Sequence, residues 1–353
     1  MEPHITATKM TDQYKNDLEK WLTKINASNI SSLKEPVGRV LYLDFEKIDT
    51  TLIGDMITPP TKAELERRAK ELERSKTDST IKIKPPGKFS GFLNMEKVDS
   101  TVKAVRFSGD RDKYPFLVTG KKGRGISFRG EASIEAGKAL SYDRFQPFSV
   151  SIWVKLNKHG EEGPIFNKAN SEEEGFRGWA CKLNKNGTLS FQFAHVLPDN
   201  AIDFVTIDTL KVGEWTHIAL TYDGSSKASG IRFWLNGKIP EYKLLVDNLQ
   251  KSMVFARFNV IRGTRNFTLG SNSPRTLQNM DMDELAIYKR TLSEIEVLDL
   301  YDTSEDIIPQ LISKKSRSEE ENKQLLSYFL LRGYQSDVKR SQDSLLSLRS
   351  QEN

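Results

Sequence analysis

The sequence predicts a mainly β protein: an antiparallel β-sandwich of the jelly-roll kind, with α-helices at both ends and one helical insertion. Three observations lead there. Apolar residues alternate in short runs, as where Phe148, Val150, Ile152, Val154 and Leu156 take every second place in FSVSIWVKL. A period of two is what a strand with one face in a core requires. The dipeptides Asn186-Gly187, Asp223-Gly224 and Asn236-Gly237, which accept positive φ, separate such runs. Finally, no helices alternate with these runs, as a parallel sheet would need, so the strands must pair antiparallel.

The elements follow in order. Residues 12–25, DQYKNDLEKWLTKI, place Tyr14, Leu18, Trp21, Leu22 and Ile25 on one stripe of a helix. RVLYLDF opens the strands. Thr61 and Glu64 then form a capping box after Pro59-Pro60 and start a charged helix to about Ser75, followed by a loop through residue 99. KAVRFSG, GISFRG, ASIEAG and FSVSIWVKL resume the β pattern, and TLSFQFAH, WTHIALTYD, IRFWLNG and DELAIY complete about a dozen short strands between residues 39 and 289. A second capping box, Ser293 with Glu296, begins a helix over 294–301, and residues 319–348 carry a further helical stripe from Leu325 to Leu348. The expected organisation is a helical segment over 1–38, a sandwich over 39–302 with an inserted helix and loop at 60–99, and a helical segment over 303–353.

Composition excludes several classes. The chain has 353 residues, 53 Lys plus Arg against 48 Asp plus Glu, a net charge of +5 and 37% hydrophobic residues. That is enough apolar material for one sizeable core, so wholesale disorder is excluded. No apolar run approaches the roughly 18 residues that span a bilayer, so the chain is not expected to be membrane-spanning. Basic residues interleave with acidic ones, as in Glu64–Glu73, which reads as a solvated helix face; no nucleic-acid partner is expected. Cys181 stands alone, so internal disulfides and cysteine-based zinc clusters are ruled out. Met-Glu-Pro-His lacks the basic start and apolar stretch of a signal peptide, and the helical stripes at both ends want burial elsewhere; a piece of a longer protein is the expectation.

A resemblance emerges from these residues. GKKGRGISFRG, PFSVSIWVKL, RGWACKLNKNGTLSFQF, VGEWTHIALTYDGSSKASGIRFWLNGK and MDMDELAIYKRTLSEIEVLDLY together resemble the laminin-G-like part of the concanavalin A-like lectin/glucanase superfamily. RGW, HVLPDNAI, TYDGSSKASG and SYFLLRGYQSDVKRSQDSLLSLRS are similar, more narrowly, to the version embedded in planctomycete-type multidomain cytochrome-c-linked proteins. The resemblance spans roughly residues 39–350. It implies a lectin-like module within a long exported protein, periplasmic or at the cell surface, beside a haem-binding head and further domains. The haem motif Cys-x-x-Cys-His is absent, so no electron-transfer role carries over.

Catalysis is not expected. Glucanases of the resembled superfamily use Glu-x-Asp-x-x-Glu on one strand, because an acid and a nucleophile must flank one glycosidic bond. Here Asp281-Met282-Asp283-Glu284 is the nearest approach; a regular strand puts Asp281 and Asp283 on one face, Glu284 on the other, and no third acid follows. The four histidines, His4, His159, His195 and His217, fall in no hydrolase or metalloprotease motif, and Cys181 reads as a small core residue. GKKGRG leads into a strand and reads as a hairpin turn, not a phosphate loop.

Two constellations remain. Strict alternation aims Asp283 at the same face as Leu285 and Ile287, where a bare charge is costly. The resemblance implies Ca²⁺ near this strand start, with Asp44 or Glu46 converging on Asp283; the bland reading is that Asp283 caps backbone amides or pairs with an arginine. For sugar binding, Trp179 is the candidate aromatic platform, with Arg177, His195 and Asn200 supplying polar groups at one rim. Trp153, Trp215 and Trp234 read instead as packing under loops or helices. Two functions follow: a noncatalytic module binding a polysaccharide or glycan, or a structural module that docks on neighbouring domains through the flanking helices. A glycoside hydrolase ranks third.

Overall fold

The computed structural model describes residues 12–25, 33, 36–46, 106–109, 115–130, 132–136, 140–171, 174–254, 266–272, 275–302, 306–332 and 336–352. The strands, in chain order, are β1 (Arg39–Leu43), β2 (Arg106–Gly109), β3 (Phe116–Thr119), β4 (Arg124–Arg129), β5 (Ala132–Glu135), β6 (Phe148–Leu156), β7 (Gly163–Ala169), β8 (Gly178–Leu183) and β9 (Thr188–Val196). They continue as β10 (Asn200–Thr209), β11 (Trp215–Tyr222), β12 (Ile231–Leu235), β13 (Tyr242–Asp247), β14 (Thr268–Leu269), β15 (Ser271–Asn272), β16 (Arg275–Thr276) and β17 (Gln278–Tyr288). The helices are α1 (Asp12–Lys24), α2 (Glu294–Tyr301), α3 (Ile307–Ser313), α4 (Glu319–Leu331) and α5 (Ser336–Gln351). The helix expected after Pro59-Pro60 and the loop to residue 99 lie outside the described residues.

The strands form the expected antiparallel sandwich. One sheet has the order β12-β11-β6-β17-β4-β3, with β1 also pairing β17, and the facing sheet has the order β13-β10-β9-β8-β7-β14-β5-β2. Alternation places Phe148, Val150, Ile152 and Val154 of β6 against Trp179, Cys181, Phe191, Phe193, Ile202 and Phe204 of the facing sheet, all in one buried core. Aromatic rings dominate it: Phe191 stacks on Phe233 with centroids 4.7 Å apart, and Phe148 meets Trp179 at 4.7 Å. Such offset contacts add to the area these rings bury.

The second face of the seven-stranded sheet is also covered. Ala219, Trp234, Ala286 and Tyr288 point outward from it and pack under Leu292 and Val297 at α2. The Ser293–Glu296 capping box that starts α2 is present, and Glu296 is additionally paired with Arg290. Above α2, Leu18, Ile295, Ile308, Leu311, Leu325 and Phe329 make a separate helical core, with Trp21 centred 5.3 Å from Phe329. The apolar stripes of α1 and α4 therefore bury each other, although they are about 300 residues apart in sequence. Tyr14, Trp21, Leu22 and Ile25 of the first stripe are partly buried in this way, and the predicted stripe over 319–348 is divided between α4 and α5.

Strand β17 departs from plain alternation. Its register with β6 slips by one residue between Asp283 and Ala286, and Glu284 has φ +51°. This β-bulge marks the point where β17 exchanges β4, paired along Gln278–Met282, for β1, paired along Leu285–Tyr288. Met280, Met282, Leu285 and Ile287 all face the core as a result.

Because the helical core is built on the sandwich, its loss should be felt by the whole chain. Phe329→Ala is expected to destabilise folding by about 3–5 kcal/mol, read as a lowered urea midpoint with a single transition; an unchanged midpoint would refute the role assigned to α4.

Candidate functional site

The sequence-derived sugar site is only partly assembled. Arg177 Nη2 and His195 Nε2 lie 2.9 Å apart, and Arg177 Nε donates to the His195 carbonyl at 2.9 Å. His195 Nδ1 lies 2.8 Å from the Ser252 carbonyl. Asn200 does not join them: its Oδ1 accepts from the Gln250 and Lys251 amides at 3.0 Å each and so fastens the loop beyond β13. Trp179 is no platform. It is 1% exposed, wedged among Tyr142, Phe148, Phe166 and Phe267, so neither ring face can meet a sugar. The cause is register: Trp179 shares the inward face with Cys181, its neighbour two places along β8, and that face is core.

Asp283 is likewise placed differently from the plain alternation. With the bulge after it, Asp283 lies opposite Trp153 on the outer face of the seven-stranded sheet, whereas Leu285 and Ile287 face inward. Its Oδ2 accepts from the Lys122 amide at 2.9 Å and its Oδ1 from the Glu284 amide at 2.8 Å. Asp283 therefore caps backbone amides. Gly120 is required beside it, since a Cβ there would sit 2.5 Å from Asp283 Oδ2. Burial, with the nearby Glu284 charge, raises the Asp283 pKa to about 7 against the pull of the Lys122, Glu284 and Lys121 amides.

Glu284 lies on this same side, not the opposite one: its Oε2 accepts from Tyr42 Oη at 2.8 Å, and it lines a groove with Arg39, Lys122 and Trp153. Asp44 Oδ1 accepts from the Glu46 amide at 3.1 Å, and Glu46 Oε1 from the Arg124 amide at 3.0 Å. Ca²⁺ requires about six to eight oxygens. The oxygens of Asp44 and Asp283 instead face amide donors, and among the described residues no group of three or more His, Cys, Asp or Glu side chains is arranged to hold a metal. The residues present do not fit the calcium expectation. Asp281, the other carboxylate of the strand, is paired with Lys155 at 2.8 Å and accepts from Asn157 at 2.7 Å.

His217 is fully buried on this outer face, its Nε2 2.8 Å from Ser151 Oγ. Burial, together with Lys121, pushes its pKa down to about 3, so it is a neutral packing residue between Trp153 and Tyr301.

A different site lies on the outer face of the eight-stranded sheet. There the cross-strand row runs Asn167, Ala180, Gln192, Asp203 across β7 to β10. Ala194 and Ala201, paired with each other in the next row, are fully buried. A groove of about 200 Å³ reaches this row at Gln192 alone and is lined by Phe176, Lys182, Asn184 and Ser190 together with Glu162, Asn272 and Arg275 of the adjoining turns. Lys182 Nζ sits 3.5 Å from the centroid of the half-exposed Phe176 ring.

Two acceptors on this face are unanswered. Gln192 and Asp203 are each 8% exposed, and Gln192 Oε1 and Asp203 Oδ1 are buried without a hydrogen-bond partner. A buried acceptor in that state carries a penalty of about 1–3 kcal/mol. Burial raises the Asp203 pKa, against opposing pulls from the Gln192 side chain, Lys182 and the Phe204 amide. The one sequence signal for this pair was the polar residue between core phenylalanines in FQF and the acid in AIDFV.

Residues 128–298 match the family model described as the Concanavalin A-like lectin/glucanases superfamily. Among solved structures, the binding domain of Paraclostridial Mosquitocidal Protein 1 is similar at TM-score 0.40 and 19% identity, over 58% of this chain and 50% of that one. Domain 4 of AbnA, an extracellular arabinanase of Geobacillus stearothermophilus, is similar at TM-score 0.40 and 22% identity, over 56% and 88%. The botulinum neurotoxin serotype G binding domain is similar at TM-score 0.40 and 15% identity, over 57% and 47%. This chain thus spans about half the length of the first and third. No curated protein matches it by sequence.

Two measurements check these placements. Trp179→Ala is expected to destabilise folding by about 3–5 kcal/mol, as a cavity-forming core change, with the loss seen in denaturant melts even without ligand. Asp283 carries more protons folded than unfolded between about pH 4 and 7, so its contribution is present below pH 3.8 and fades as pH rises through about 7. Asp283→Asn should therefore gain on the natural protein across that window; parallel urea midpoints across the series would contradict the buried carboxyl.

Proposed function

We infer that this chain is a noncatalytic carbohydrate-recognition module of a larger exported protein, contacting glycan on the outer face of the eight-stranded sheet. The observation that carries this reading is the groove lined by Phe176, Lys182, Asn184, Ser190 and Gln192, an aromatic ring beside several polar side chains. Amide and hydroxyl groups next to an aromatic ring suit a ligand that presents several O–H groups along one edge, which is the chemistry of a sugar ring. The half-exposed Phe176 offers an apolar patch for the C–H face of such a ring. A groove below the roughly 300–1,000 Å³ of enclosed ligand pockets suits one or two sugar units of a longer chain.

A noncatalytic role agrees with the carboxylates of β17. Asp281 is held by Lys155 and Asn157, both Asp283 oxygens accept backbone amides, and Glu284, the one that lines a groove, accepts from Tyr42 Oη. The second reading, a protein-interaction module, is favoured by one feature, the exposed Leu345 and Leu348 of α5.

Affinity electrophoresis through neutral, acidic and sulfated polysaccharides separates the two. Saturable retardation is expected for the natural protein. Gln192→Leu or Asn184→Leu should weaken it about tenfold to a hundredfold, the cost of one lost hydrogen bond to a desolvated partner, while Arg177→Ala leaves it within a factor of two or three. Silence across all polysaccharides, or retardation indifferent to both leucine variants, would favour the interaction module.

A further inference from the structure

Exposed apolar residues are concentrated at one place. Among the described residues nine large apolar side chains are exposed, and five of them, Ile207, Ile239, Tyr242, Leu244 and Leu245, lie on or beside β13. Among the described residues β13 is the terminal strand of the eight-stranded sheet, pairing β10 alone. Every residue from Glu241 to Leu245 is exposed. An open, apolar edge strand is a template for another strand, and proteins that remain soluble normally blunt or cover it.

The backbone direction can be worked out. The Ile207 amide donates to the Glu241 carbonyl at 2.8 Å, so Glu241 turns its backbone groups toward β10. In an antiparallel ladder successive residues alternate, so Lys243 does the same, while Tyr242 and Leu244 turn theirs to the open edge. The edge is therefore ready to accept a strand centred on Tyr242.

The charges select the occupant. When β13 meets a copy of itself antiparallel about Tyr242, Glu241 falls opposite Lys243 of the second copy, and Lys243 opposite its Glu241. Tyr242 then faces Tyr242, and Leu244 lies next outward on the same side. Cross-strand opposite charges and aromatic pairs each stabilise such a ladder. The register centred on Leu244 would instead oppose Glu241 to Asp247, like against like. The register centred on Leu245 is broken by the irregularity of β13 against β10 and uses Asp247, whose Oδ1 already accepts the Ala228 amide at 2.9 Å. Lys243 repels an unrelated basic strand, yet matches its own twin.

We propose that β13 is the interface for a second copy of this chain, joined edge to edge about Tyr242 so that the eight-stranded sheets become continuous. The two-fold axis is perpendicular to that sheet, so both outer faces, with their Gln192 grooves, point the same way. A multivalent polymer could then be held by both at once, which raises avidity without a new contact. The interface itself does not depend on what the grooves bind.

Analytical ultracentrifugation of the full chain tests this with charge reversals at exposed positions. The natural protein is expected to sediment at twice the chain mass, and Lys243→Glu and Glu241→Lys each at the chain mass, with unchanged circular dichroism. An equimolar mixture of the two variants should regain the double mass, since every opposed pair is then opposite in sign. Three results would overturn the proposal: a natural protein that stays monomeric, a dimer untouched by either reversal, or a mixture that fails to recombine. A strand donated by another protein would appear as the first of these. Because no glycan is present, failure here leaves the proposed binding function standing.

Discussion

A sandwich of two sheets has four faces, and burial of apolar side chains allots them. Two faces meet in the core that runs from Phe148 and Val150 across to Trp179 and Phe191. The outward face of the seven-stranded sheet carries Trp234, Ala286 and Tyr288, which are covered by α2 and the helices above it. The outward face of the eight-stranded sheet is built from small and polar residues, Ala180, Ala194, Ala201, Gln192 and Asp203, and these are buried as well.

The bulge at Glu284 has comparable reach. A strand of strict period two would have aimed Asp283 into the core with Leu285 and Ile287, at a desolvation penalty no partner there could offset. The extra residue resets the phase. Asp283 turns outward to hold the turn at Gly120–Gly123, Glu284 reaches Tyr42, and β17 changes neighbours from β4 to β1. The close approach of Gly120 to Asp283 and of Gly123 to Glu46 explains why GKKGRG holds glycines at those places: it is a hairpin turn packed on carboxylates.

The candidate site was the least legible part. Arg177 and His195 do meet at the rim, as their position next to β8 and at the end of β9 suggested. Trp179 was misjudged because an aromatic residue in a strand reads the same whether its face is core or solvent; which face is core depends on the sheet opposite. Gln192 was visible as a polar residue between two core phenylalanines. Nothing local indicated that its carbonyl oxygen would lack a donor, because that depends on Asp203 one strand away.

The amino-acid sequence by itself determined β1, β2, β4, β5, β6, β9, β11, β12 and β17, the glycine turns beside them, α1, α2 with its capping box, and the sandwich class, since alternation, glycine turns and caps act over a few residues. The tertiary structure alone decided which helix covers which stripe, where β17 changes phase, that Trp179 is core, and that β13 stands at an open edge. Those outcomes rest on contacts between residues far apart in the chain, whose energies exist only once both partners are in place.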